Sequence, residues 1–109
     1  MDKITQIFTE KVKEKLSNHL KNIYLYGSRA RGDYNEGSDY DFMIVVDKRD
    51  KDIVDIITDE SVNILNDYSE LVSAIIYDEK EWEFKKYIPL GKNILREGIA
   101  LWMNLKFLQ

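Results

Sequence analysis

A polar, glycine-rich segment separates two apolar segments near the start of this chain and limits how they can be joined. Residues 23–26 are β-branched and aromatic, residues 39–46 read DYDFMIVV, and the segment from Gly27 to Ser38 reads GSRARGDYNEGS. This connection is too short for the full crossover helix that joins parallel strands. We therefore expect two strands that pair antiparallel, with one helical turn beginning at Ser28, a residue type favoured at helix N-caps.

The rest of the sequence alternates amphipathic helices with short strands. A stripe of apolar residues at helical spacing predicts a helix over 4–21, and it consists of Ile4, Phe8, Val12, Leu16 and Leu20. Periodicity and end signals predict further helices over 52–66, 79–87 and 89–97, and further strands over 71–77 and 99–105. This order predicts an α/β (α+β) fold in which helices pack against a mixed sheet of three or four strands.

Composition excludes several classes of function. The length of 109 residues predicts one domain over 1–109. Cys is absent and His19 is the single His, so thiolate chemistry and multi-His metal sites are excluded. The net charge of −4 disfavours direct binding of nucleic acid, whose phosphates need clustered Lys and Arg. No apolar run is long enough for a membrane helix and Met1 begins no signal-peptide pattern, so we expect a cytoplasmic protein.

Four residues around the glycine-rich segment form a pattern with chemical use. On a strand, Asp39 and Asp41 would share one face, about 7 Å apart at their Cα atoms, so their oxygens could converge on Mg²⁺. Gly27 lets the backbone approach a phosphate, and Ser28 at a helix start offers a hydroxyl and free N–H groups. A phosphate cradle beside a metal clamp suits transfer from a nucleoside triphosphate.

Two arginines of the same segment have two open interpretations. Arg29 and Arg31 either bind phosphates or simply lie in solvent on the loop. Tyr24 and Tyr26 are interpreted as residues that pack on the sheet.

The spacing of these residues resembles that of a known superfamily. Gly27-Ser28, ten residues, and then Asp39-x-Asp41 is similar to the signature of polymerase-β-type nucleotidyltransferases. The string GSRARGDYNEGSDYDFMIVV and the later REGIALW (96–102) resemble the minimal nucleotidyltransferases (MNT), small domains commonly encoded beside a HEPN-domain ribonuclease.

That resemblance implies a fold, a reaction and a partner. It implies a polymerase-β-like nucleotidyltransferase fold in which Gly27 and Ser28 bind the triphosphate of ATP. Asp39 and Asp41 would bind Mg²⁺ as the catalytic pair. It further implies an antitoxin that transfers AMP to a tyrosine of a HEPN toxin and associates with it as a hetero-oligomer.

One position departs from the superfamily pattern. Catalytic members usually carry a third carboxylate on a later strand, and the position that aligns with it here is Ser73. Either Glu70 substitutes for it, or two carboxylates suffice, or catalysis is weak. An antitoxin that neutralises its toxin by binding alone is therefore one alternative, and a nucleotidyltransferase of small molecules such as aminoglycosides is another.

Overall fold

The computed structural model describes residues 1–105 and contains one sheet with helices on both of its faces. The strands are β1 (Leu20–Tyr26), β2 (Tyr40–Val46), β3 (Val72–Asp78) and β4 (Ile99–Met103). The helices are α1 (Lys3–Leu16), α2 (Ser28–Arg31), α3 (Lys51–Tyr68), α4 (Glu79–Lys85) and α5 (Pro89–Glu97), and a 3₁₀ turn spans Ser17–His19.

The sheet is mixed, as the short first connection predicts. Its strand order is β3-β2-β1-β4. The strands β1 and β2 pair antiparallel, and so do β1 and β4, whereas β2 and β3 are parallel. The parallel pair is joined through the 18 residues of α3, which supply the crossover that a parallel connection requires.

Both faces of the central strand β2 are buried, which explains its uninterrupted apolar sequence. On one face, α1 and α3 pack over Phe42, Ile44 and Val46, and the ring centroids of Phe8 and Phe42 lie 4.4 Å apart. On the other face, Met43 and Val45 pack with residues of α4 and α5 that include Trp82 and Ile94. The amphipathic stripe of α1 is therefore confirmed.

The first helix is shorter than its apolar stripe predicts. It ends at Leu16, and Ser17 takes a positive φ of 52° with ψ −130° as its C-cap. Leu20 already belongs to β1, yet it is fully buried in the same core as the stripe. It therefore continues the helical spacing of apolar residues without being part of the helix. Smaller differences affect other ends: α3 is longer than predicted, α4 ends at Lys85 and β4 ends at Met103.

No helix among residues 1–105 combines the length and apolar character that crossing a bilayer requires.

The conformations of two serines at helix C-caps give a test of this fold. Ser17 (φ 52°, ψ −130°) lies where a side chain is strained, whereas Ser69 (φ 56°, ψ 33°) lies in the ordinary left-handed region. We expect Ser17→Gly to raise the free energy of unfolding by about 1 kcal/mol in urea titrations. Ser69→Gly is the matched control, and its free energy of unfolding should rise by less. An equal or larger gain at Ser69 would contradict the assigned end of α1.

Candidate active site

The turn after β1 exposes backbone N–H groups at the start of a short helix. Gly27 is the N-cap of α2, and its carbonyl accepts hydrogen bonds from the N–H groups of Ala30 and Arg31 at 3.1 and 3.0 Å. The helical turn predicted from Ser28 is confirmed, with the difference that Ser28 is its first residue and Gly27 the cap. The N–H groups of Ser28 and Arg29 therefore precede the helix's own hydrogen-bond ladder and are suited to bind an anion.

Gly27 lies directly against the carboxylate of Asp41. Antiparallel pairing places Tyr26 opposite Asp41, so the turn that follows Tyr26 meets the first residues of β2. Gly27 has φ 73°, and a Cβ atom at this position would overlap Oδ2 of Asp41. Both the backbone conformation and the close approach thus require glycine. Gly27, and with it the neighbouring residue Ser28, therefore lies beside Asp41.

Asp39 and Asp41 act on one another electrostatically. Asp39 immediately precedes β2 and is exposed, while Asp41 lies within the strand and is partly buried. The pKa of Asp41 is raised above the usual aspartate value by its burial and by the negative charge of Asp39, while Arg31 acts in the opposite direction. Two adjacent carboxylates that repel each other fit a hard divalent cation, which would relieve that repulsion.

Asp39 and Asp41 have no third acidic side chain beside them within residues 1–105. Among residues 1–105 no group of three or more His, Cys, Asp or Glu side chains could hold a metal ion. Any cation bound by Asp39 and Asp41 would take its remaining ligands from water or from a bound phosphate.

A row of three side chains crosses the sheet at the site. Tyr26 on β1 pairs with Asp41 on β2, and Asp41 pairs with Ser73 on β3. Burial, together with the charge of Asp41 and the nearby Tyr77, raises the pKa of Tyr26 to about 12. Tyr26 is therefore a neutral phenol beside Asp41. The interpretation of Tyr24 and Tyr26 as residues that pack on the sheet is confirmed, since both pack against the cluster that contains Met43.

Arg29 braces the loop that carries Asp39. Its side chain is 9% exposed, and its guanidinium donates to the carbonyl of Ser38 at 3.1 and 3.3 Å. The same group lies 4.3 Å from the ring centroids of both Tyr34 and Tyr40, and 3.8 Å from Glu70. These contacts give Arg29 a structural role in the loop, which neither of the two sequence interpretations included.

Glu70 lies on the wrong face to replace the third carboxylate. Its ion pair with Arg29 places it beside Tyr40, whose side chain packs in the core under α1 and α3. Successive residues of a strand face opposite ways, so Asp41 lies on the other face from Tyr40. Ser73 is the β3 residue that pairs with Asp41, as the sequence alignment proposed.

Arg31 is the cation of the loop that acts on Asp41. It is 42% exposed and forms ion pairs with Asp33 at 3.2 Å and with Glu97 at 3.4 Å. The contact with Glu97 joins α2 to the end of α5 at the mouth of the site. Phosphate binding by Arg31 thus stays a prediction.

Known proteins resemble this chain in both sequence and fold. The model of the nucleotidyltransferase domain family matches residues 5–101. A protein of Methanocaldococcus jannaschii that is named a protein adenylyltransferase is 34% identical over 101 residues, which cover 93% of this chain and 97% of the relative.

Solved structures confirm the predicted nucleotidyltransferase fold. A spectinomycin adenyltransferase from Enterococcus faecialis, solved with ATP and spectinomycin, has a TM-score of 0.65 at 20% identity, over 96% of this chain and 57% of that one. A chain from the structure of a tri-AMPylated Shewanella oneidensis HEPN toxin in complex with an MNT antitoxin has a TM-score of 0.56 at 16% identity. That match covers 95% of this chain and 76% of the other.

Three glycines provide a graded test of the contact between Gly27 and Asp41. Gly27 has a positive φ and lies against Asp41. Gly32 has φ 89° with open space around it, and Gly37 has open space without a positive φ. We expect Gly37→Ala to leave stability nearly unchanged and Gly32→Ala to cost about 1–2 kcal/mol of unfolding free energy. Gly27→Ala should cost more than Gly32→Ala.

The excess at Gly27 should become smaller when Asp41 is shortened. In an Asp41→Ala background, the difference between the costs of Gly27→Ala and Gly32→Ala in urea titrations should fall. Part of it should remain, because Gly27 has ψ −159° whereas Gly32, with ψ 2°, lies in the left-handed region. An undiminished difference in this background would show that contact with Asp41 does not contribute to it.

The raised pKa of Asp41 predicts that its charge destabilises the fold. A carboxyl whose pKa is higher in the folded state stabilises the fold when protonated, and this contribution is lost as the pH rises through the folded pKa. Without divalent cations, Asp41→Asn should therefore have a higher melting temperature than wild type at pH 7. The difference should shrink as the pH falls towards about 4, near the ordinary aspartate pKa.

The exposed Asp59 on α3 offers a matched control for this charge removal. Asp59→Asn should leave the melting temperature nearly constant relative to wild type between these pH values. Added Mg²⁺ should raise the melting temperature of wild type and of Asp59→Asn but not that of Asp41→Asn, because a ligand stabilises only the fold that binds it. An Asp41→Asn protein less stable than wild type at pH 7 would contradict the electrostatic argument.

Proposed function

This chain belongs to the nucleotidyltransferase domain family, and on that premise we propose that it transfers AMP from ATP to a tyrosine hydroxyl of a partner protein, a HEPN toxin. The relative named a protein adenylyltransferase supports a protein as the acceptor. The fold shared with the complex of an AMPylated HEPN toxin and an MNT antitoxin supports the class of partner. The observation that carries the proposal is the meeting of the Gly27–Ser28 turn with Asp41 beside Asp39.

The turn supplies the phosphate-binding half of the site. The hydroxyl of Ser28 and the N–H groups of Ser28 and Arg29 would bind the triphosphate, and Gly27 leaves room for it next to Asp41. A triphosphate bound here would have Arg31 at its side, where a guanidinium would offset part of the negative charge.

The two aspartates supply the other half. Asp39 and Asp41 would hold Mg²⁺, which when bound neutralises charge on the triphosphate and favours departure of pyrophosphate. The acceptor oxygen forms a bond to the α-phosphorus of ATP while the bond from that phosphorus to the bridging oxygen of pyrophosphate breaks. The aspartates orient these groups, and Tyr26 remains a neutral neighbour.

The acceptor side of the site is open. Ser73, which pairs with Asp41, is exposed on the edge strand β3, so within residues 1–105 nothing covers the site beyond it. A partner protein would therefore complete the site, which supports a hetero-oligomer with the toxin. The net charge of −4 offers no basic groove for an RNA or DNA acceptor.

One observation favours a second candidate function. The site of the described chain has two acidic groups instead of three. An antitoxin that has lost catalysis and blocks its toxin by occupying it would tolerate this loss. The two functions differ in whether the aspartates are needed for neutralisation.

Transfer to the partner tests the proposal directly. The protein is incubated with labelled ATP, Mg²⁺ and a HEPN-domain protein that associates with it, and label on that protein is measured. We expect label on a tyrosine, and we expect Asp39→Asn with Asp41→Asn to reduce the rate by at least about 10³-fold, since charge stabilisation is a large term in catalysis. Asp59→Asn, which removes a charge far from the site, should retain the wild-type rate.

The alternatives predict different results in the same assay. Neutralisation of the toxin by the doubly substituted protein, without label, would support binding alone. Label on a small aliphatic acceptor such as an aminoglycoside, in the absence of any partner, would support a small-molecule transferase. Unlabelled partner in a folded wild-type complex would overturn the transferase proposal.

A further inference from the structure

Ser73 occupies the position next to Asp41 on the acceptor side of the site. Parallel pairing places Ser73 opposite Asp41, and residues paired in this way lie on the same face of the sheet. That face is the one on which Met43 and Ile75 pack, opposite to α1 and α3. Ser73 itself is exposed, so it contributes little to the core and lies where an acceptor would approach.

The proposed reaction must dispose of a proton. The acceptor hydroxyl gains a bond to phosphorus and loses its hydrogen, so a base must take the proton before or during the attack. A serine hydroxyl is too weak a base for this purpose, and Tyr26 lies on β1, on the other side of Asp41 from Ser73.

The other ionisable groups near this end of the sheet are engaged elsewhere. In the proposed function Asp39 and Asp41 hold the cation. Glu70 is paired with Arg29 on the opposite face. At the mouth of the site, Glu97 contacts Arg31 and Arg96, each at 3.4 Å.

A second acid at the mouth is committed in the same way. Asp33 is paired with Arg31 at 3.2 Å. At the far end of β3, Asp78 accepts the N–H of Glu81 as the N-cap of α4. Within residues 1–105 the structure thus presents no uncommitted carboxylate or imidazole beside Asp41.

We propose that Ser73 is a specificity-determining residue that restricts transfer to phenolic hydroxyls and excludes aliphatic ones. The inference rests on the proposed function and explains why its acceptor is a tyrosine. A tyrosine with an ordinary pKa near 10 is ionised to roughly one part in a hundred at pH 8. Its proton goes to solvent before the phenolate attacks the α-phosphorus and pyrophosphate leaves. An aliphatic hydroxyl, with an acidity close to that of water, ionises many orders of magnitude less and would need a base that Ser73 does not provide.

A carboxylate at position 73 should relax this restriction. Ser73→Asp would place a base beside Asp41 on an exposed edge position, where a change of side chain is tolerated. Ser73→Asn has the same size and no basic oxygen of comparable strength, and is the matched control. Circular dichroism melting of both variants verifies that each remains folded.

The experiment compares acceptors of different acidity at fixed pH. Transfer from labelled ATP with Mg²⁺ is measured to the partner protein and to the partner with its labelled tyrosine replaced by serine. N-acetyl-tyrosinamide, its ring-fluorinated analogues and N-acetyl-serinamide serve as small probes. In wild type we expect label on the tyrosine acceptors, a rate that rises with the acidity of the phenol, and no label on either serine acceptor.

In Ser73→Asp we expect label on the serine acceptors at about 10²-fold or more above the wild-type background, the usual effect of a general base. Its rate should also depend less on phenol acidity, and Ser73→Asn should show neither change. Equal rates on tyrosine and serine acceptors in wild type, or no difference between Ser73→Asp and Ser73→Asn, would overturn this inference alone. Absence of transfer from wild type to every acceptor would overturn the proposed function, and the inference with it.

Discussion

The close approach of Gly27 to Asp41 is the contact on which the rest of the site depends. It follows from the antiparallel register of β1 and β2, which sets the end of one strand against the beginning of the other. A side chain at position 27 would overlap Oδ2 of Asp41 and would be strained at φ 73°, so glycine lets the Gly27–Ser28 turn lie against the acidic pair. The two halves of the site are therefore positioned by the central strands of the sheet, which are also the most deeply buried.

The loop between these strands is polar and would be costly to order without specific contacts. Arg29 provides them, because its buried guanidinium binds the Ser38 carbonyl and lies between the rings of Tyr34 and Tyr40. These contacts fix the end of the loop from which Asp39 extends. The glycine-rich segment is thus a braced connection between the two halves of the site, even though most of its residues are exposed.

Much of this arrangement could be predicted from the sequence, because short-range patterns encode it. The short connection predicted the antiparallel pair, and the Gly27–Ser28 and Asp39–Asp41 spacing predicted which residues come near one another. The end of α1 could not be predicted, since Leu20 fits the helical stripe and the buried strand equally well. The role of Arg29 was missed because its partners in the loop surround it only when the loop is folded, and Glu70 comes from a distant part of the sequence.

Strand β2 contributes to both the core and the candidate site, and the two have opposite effects on stability. Apolar packing on both faces of β2 stabilises the fold, while the end of the same strand carries a carboxylate whose pKa is raised because its charge is unfavourable there. A charged group that destabilises the fold is typical of a site that binds a ligand of opposite charge. The raised pKa thus argues for a cation independently of any family resemblance. In the proposed function, Ser73 next to Asp41 supplies no base, so the reactivity of the acceptor hydroxyl would come from the acceptor itself.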